Sequence, residues 1–223
     1  MTRLIGISGK PGANKMIYAF RIIRELRLRG HQAEMSSLAL SLYAEANAIA
    51  DDVAAGLPKD QIIAEHDLGI LGSDLTSLLD PELIGEKHPQ WGHSRRNESF
   101  RRALSLLGTN IRREQDQDYF LKRMVSSLEP AIDFAVITDL RFPNEAEYIR
   151  RHGGMTIRVN VNDEENTSGG YKYNEGRNTA EETALDTYYR FNHEFYASFF
   201  NGKEFGNTLE EFFQLNASRV KYP

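Results

Sequence analysis

The chain has 223 residues, 40% of them hydrophobic and 26% charged, the make-up of an ordinary globular protein. Its net charge of -5 sets the molecule as a whole against nucleic acid and anionic membranes. It has no cysteine, which excludes disulfides, thiolate zinc sites and a cysteine nucleophile.

Met1-Thr2-Arg3 and the short apolar run after it lack the long apolar core of a signal peptide. No stretch approaches the roughly 18 apolar residues of a membrane span. A cytoplasmic protein without a membrane partner is therefore expected. Length predicts a single domain with an inserted lobe.

In chain order, Leu4 to Ser8 is a short apolar run ending in a glycine-rich turn. Lys15 to Leu26 follows with apolar pairs at helical spacing, Ala19 with Ile23 and Ile22 with Leu26. Gly30 stands where a helix C-cap would, and His31 to Ser36 can return as a second strand. This strand, loop, helix, strand unit opens a parallel α/β sheet. Leu38 to Ala55 is helical in pattern and stops at Gly56-Leu57-Pro58. Periodicity is poor from there to Glu98, as expected of short helices and loops, whether a mobile substrate lobe or a surface insertion.

Two helices are predicted next, Glu98 to Leu107 and Asp116 to Ser127, joined through Gly108-Thr109. Phe134 to Thr138 is an apolar strand of the kind buried on both faces. Pro143 suits the first turn of a helix ending at Gly153-Gly154, and Met155 to Val161 reads as another strand. Asn162 to Arg177 is polar and glycine-rich, a loop or lid. Tyr188, Tyr189, Phe191, Phe195, Tyr196, Phe199 and Phe200 crowd one segment, as core packing or a dimer surface. Asn207 or Thr208 caps a last short helix.

The strongest local chemistry lies in Gly9-Lys10-Pro11-Gly12-Ala13-Asn14-Lys15-Met16. Small residues let successive backbone N–H groups curl around an anion. A helix N-terminus behind them and a lysine complete a phosphate cradle. The pattern G-x-x-x-x-G-K-[S/T] is met in part: Asn14 replaces the second glycine and Met16 the hydroxyl residue. Asparagine tolerates left-handed backbone. A thioether is a poor ligand for Mg²⁺, which leaves the metal ligands unassigned, with Ser8 or substrate phosphates and water as alternatives. The plainer reading is a glycine-rich turn without a ligand.

Asp139 ends an apolar strand, where open parallel sheets take their ligands; alternatively it caps the helix that begins near Pro143. Arg95, Arg96, Arg101, Arg102, Arg112 and Arg113 form a candidate anion patch, or a solvated helix face. The six histidines show no zinc-hydrolase spacing, and G-x-S-x-G is absent.

In order and spacing the chain resembles the phage deoxynucleoside monophosphate kinase family. The resemblance rests on Gly9 to Met16, Leu38 to Tyr43, and Arg101 to Thr109 followed by Arg113 and Asp118-Tyr119-Phe120. It continues through Thr138-Asp139-Leu140-Arg141-Phe142-Pro143-Asn144-Glu145, Asn178 to Glu181 and Asn207-Thr208-Leu209. Departures are Asn14, Met16, Tyr43, Ser105 and Asn178.

The resemblance implies a three-layer α/β P-loop fold with a mostly parallel sheet and a helical substrate lobe over about residues 56–130. It implies ATP and Mg²⁺ as cofactors, a deoxynucleoside monophosphate as substrate, and a homodimer as a reasonable assembly. Lys15, Asp139 and Arg141 would act on the moving phosphoryl group, and Gly9 to Met16 would hold ATP. Tyr43, Arg95, Arg102, Gly108, Thr109, Arg113 and Phe120 would hold the monophosphate, an aromatic ring stacking on its base. The alternative of a different class is a nucleotide-binding sensor or partner that has lost transfer.

Overall fold

A computed structural model of the chain describes residues 2–10, 13–69, 75–79, 98–160, 184–196, 207 and 210. These residues divide into two compact units, one built from the chain up to Ser37 and from Val125 onward, the other from Leu38–Met124.

The first unit is an α/β sheet assembly. Strands β1 (Arg3–Gly9), β2 (Ala33–Ser36), β3 (Phe134–Ile137), β4 (Met155–Asn160) and β5 (His193–Tyr196) form one sheet in the order β2-β3-β1-β4-β5, every neighbour parallel. The apolar runs of β1 and β3 are buried along almost their whole length, as a parallel sheet covered on both faces demands. Side chains alternate between those faces. Ile5, Ile7, Val136, Ile157 and Val159 meet Tyr18, Ala19, Ile22 and Leu26 of helix α1 (Lys15–Leu28). On the opposite face Gly6 lies against Ile149 of the helix Pro143–Arg151, whose Cδ1 would stand 2.6 Å from any Cβ added there. Each fully buried aliphatic side chain contributes about 1.5–3 kcal/mol.

Boundaries expected in the sheet unit, and the end of the helix that begins at Leu38, hold to within two residues, whereas the helix expected from Asp116 starts at Tyr119. Gly30, Gly56 and Gly153, all at positive φ, follow helices that end at Leu28, Ala54 and Arg151. Phe195 of the aromatic-rich segment lies on β5 and packs against the α1 core, 5.9 Å from the Tyr18 ring. Asn207 and Glu210 are both helical.

Buried polar groups on β4 are paired. Thr156 gives its backbone N–H and its hydroxyl to Asn192 Oδ1, at 2.8 and 3.0 Å.

The second unit is helical. Helices Leu38–Ala54, Lys59–Glu65 and Thr76–Leu79 pack with the helix that starts at Glu98 around Ile49, Ile62, Leu68, Leu107 and Ile111. The expected break at Gly108-Thr109 is absent. The α-helix Glu98–Ser105 widens there into a π-helical stretch, Leu106–Arg112, and continues to Gln115. Burial of Leu107 and Ile111 on one side of that stretch overrides the low helix propensity of glycine. The chain turns at Asp116 instead, into the helix Tyr119–Ser127.

Among the described residues, no helix is long and apolar enough to cross a membrane.

Candidate functional site

In the sheet unit the chemistry gathers at the carboxyl ends of the strands. The connection leaving β1 runs towards β2, whereas those leaving its neighbours β3 and β4 run the other way. An open parallel sheet forms its ligand crevice where connections diverge in this manner. The glycine-rich segment leaves β1 at that place.

Gly9 is fixed by close packing: a Cβ would stand 2.6 Å from the Val159 carbonyl oxygen and 3.0 Å from Ala13 Cβ. Asn14 adopts the left-handed conformation, φ 52° and ψ 33°, immediately before α1. The substitution that departs from the glycine pattern therefore keeps the backbone a glycine would supply. Its side chain caps nothing. Lys15, the first residue of α1, folds its ammonium back onto the loop, donating to the carbonyls of Gly9 at 2.7 Å and Lys10 at 3.1 Å. The Ala13 N–H donates to the Lys10 carbonyl at 3.1 Å, which tightens the turn. Met16 projects into solvent, 47% exposed. Pro11 and Gly12 lie outside the described residues.

Ser8, one of the oxygens considered for the metal, is already engaged. Its buried hydroxyl accepts a hydrogen bond from Arg158 Nη1 at 2.8 Å. A guanidinium at that distance opposes a second cation on the same atom. Arg158 also donates from Nη2 to Asp186 Oδ1 at 2.6 Å, and Lys10 Nζ lies 3.4 Å from Asp186 Oδ2. Neither Arg158 nor Asp186 stands out in the sequence. They lie 28 residues apart and Arg158 is 150 from Ser8, so no local pattern joins them.

Asp139 follows β3 and accepts from the hydroxyl of Ser37, which follows β2, at 2.8 Å. Just ahead of the next helix the buried Glu145 carboxylate accepts the backbone N–H groups of Arg141 at 2.8 Å and Phe142 at 3.0 Å. The Arg141 side chain is exposed.

In the helical unit Gly108, Arg113 and Phe120 come together. Arg113 Nη1 donates to the Gly108 carbonyl at 3.2 Å, and its guanidinium lies 5.1 Å from the centre of the Phe120 ring. Phe120 is 3% exposed and meets Tyr119 edge-on. As described, that ring is a core residue with no face open to a base. Leu42 approaches Gly108 so closely that an added Cβ would meet it at 3.2 Å. Thr109 and Tyr43 are half-buried and Arg102 is exposed.

Arg112 leaves the expected anion patch altogether. It is buried, ion-paired with buried Glu45, and donates to the carbonyls of His66 and Asp67 and to Gln115 Oε1. Tyr119 gives its hydroxyl hydrogen to Glu45 Oε2 at 3.3 Å. Arg95, Arg96 and the side chain of Arg101 lie outside the described residues.

Among the described residues no group of three or more histidine, aspartate or glutamate side chains could hold a metal. No protein-family model matches the chain, and no curated protein matches its sequence.

Proposed function

We propose that this chain is an ATP-dependent kinase of the P-loop type that converts a deoxynucleoside monophosphate to the diphosphate, as its resemblance to the phage enzymes implies. The observation that carries the reading is the left-handed backbone of Asn14 in the glycine-rich segment, directly before Lys15 and the N-terminus of α1. That backbone lets a loop turn its N–H groups inward, and the helix end adds its partial positive charge. Lys15 now donates to loop carbonyls, and the same ammonium would transfer to β- and γ-phosphate oxygens.

Mg²⁺ would neutralise phosphate charge and align the reacting groups. Its fit depends on hard oxygen donors. Met16 offers none, whereas the Asp139 carboxylate, positioned by Ser37, does. Asp139 would hold the ion, directly or through water. The exposed Arg141 would balance charge on the transferred group. In the helical unit Arg102, Thr109 and Tyr43 would contact the monophosphate. Gly108 and Arg113 contribute by shaping the π-helical turn, and Phe120 by packing beneath it.

Met16 supports a second reading, a protein that binds nucleotide without efficient transfer. ADP formation from ATP and Mg²⁺, measured with each deoxynucleoside monophosphate in turn, separates the two. Turnover with one or two monophosphates, lost in Lys15→Ala by a factor of about 100 or more, is the expected result. No turnover in protein that still binds ATP would overturn the kinase reading. In that event a large gain from Met16→Ser would place the defect at the metal.

A further inference from the structure

Two cationic side chains bond to residues 8–10, and a third, Lys10, extends from them. Lys15 donates to the carbonyls of Gly9 and Lys10, Arg158 donates to the Ser8 hydroxyl, and Lys10 reaches towards Asp186. One carboxylate, Asp186, touches two of these cations, one with each oxygen. Glu194, level with Arg158 on β5, is engaged by the side-chain amide of Asn160 at 3.1 Å.

The two cations differ in setting. Arg158 rises from the interior of the sheet, its side chain 10% exposed, while the Lys10 side chain is 44% exposed. Asp186 belongs to the turn Ala184–Thr187 and is itself partly exposed. A carboxylate bridging a buried guanidinium and a surface ammonium reproduces, in charge and spacing, two oxygens of a phosphate.

The geometry points to a second oxyanion subsite beside the glycine loop, formed by Lys10 and Arg158 and filled by Asp186 until a phosphate-bearing ligand displaces it. This inference rests on the reading that the loop takes phosphate. Arg158 is the fixed half of the subsite, held by Ser8. Lys10 is the exposed half and Asp186 the internal competitor. Apparent affinity for the external anion is the intrinsic affinity multiplied by the fraction of time the subsite is open. The bland role, an ion pair that pins Ala184–Thr187 to the sheet, predicts no such competition.

Inorganic pyrophosphate binding, measured by calorimetry on wild type, Asp186→Asn and Lys10→Ala, tests this directly. Asparagine keeps the shape of Asp186 and removes its charge. If Asp186 occupies the subsite about nine-tenths of the time, Asp186→Asn binds pyrophosphate about tenfold more tightly than wild type. Lys10→Ala binds it several-fold more weakly. Equal or weaker binding by a folded Asp186→Asn overturns the proposal, as does unchanged affinity in Lys10→Ala, however Asp186→Asn folds. Absence of pyrophosphate binding in every variant sinks the phosphate-loop reading as well. Binding that ignores both substitutions sinks this subsite alone, and turnover of deoxynucleotides enters neither result.

Discussion

Asn14 holds a left-handed backbone that costs most residues about 1–2 kcal/mol. Asn14→Gly should therefore leave stability nearly unchanged, and Asn14→Val should lower it by about 1–2 kcal/mol, both read from urea denaturation. One of the loop's two departures from the phosphate-loop pattern was legible because asparagine has this known tolerance. Arg112 was not legible in the same way, since an arginine beside Arg113 reads as surface charge until Glu45 is brought against it. Two tyrosines carry a pH signature. Burial, the largest influence on each, pushes the phenols of Tyr18 and Tyr188 above the ordinary value of 10.0. As pH rises past that value the unfolded chain releases these protons first. The stability they confer is complete below pH 10 and declines as pH climbs towards the raised folded values. Melting temperature followed from about pH 8 to about pH 11 should fall, and Tyr18→Phe should make the fall shallower.

At the scale of elements, the π-helical stretch Leu106–Arg112 is where expectation and structure part most clearly. Glycine followed by threonine reads as a helix end, and no periodicity rule for 3.6 residues per turn registers a wider one. What holds the stretch is long-range: Arg112 reaches Glu45 in the helix Leu38–Ala54 and the carbonyls after Lys59–Glu65. Removing one partner leaves a buried charge, so Glu45→Ala should cost about 3–5 kcal/mol. Replacing both partners, with Glu45→Leu and Arg112→Met, should recover much of that loss, with denaturation midpoints as the comparison. π-helical turns recur at functional sites, which fits the monophosphate contact proposed for Thr109.

Across the whole molecule the two units keep separate hydrophobic clusters, one around Ile5, Ile7 and Ile22, the other around Ile49, Leu107 and Ile111. Hydrogen exchange on Glu45→Ala should show lost protection through Leu38–Met124 while amides of the parallel sheet stay protected. The strands themselves were readable because β1, β3 and β4 are short apolar runs between turn signals. β5 was not, since its residues merge into an aromatic-rich segment, and strand order is invisible to local patterning. That order has a consequence for synthesis. β1 and β2 are not neighbours, because β3 lies between them, and β3 emerges about 130 residues after β1. A ribosome adding about 5–20 residues per second takes roughly 6 to 26 seconds to cover that distance. Throughout that interval the nascent amino-terminal strand has neither of its sheet partners, so its apolar edges are exposed to chaperones or to other chains. The helical unit, finished first at Met124, is complete before the sheet can close.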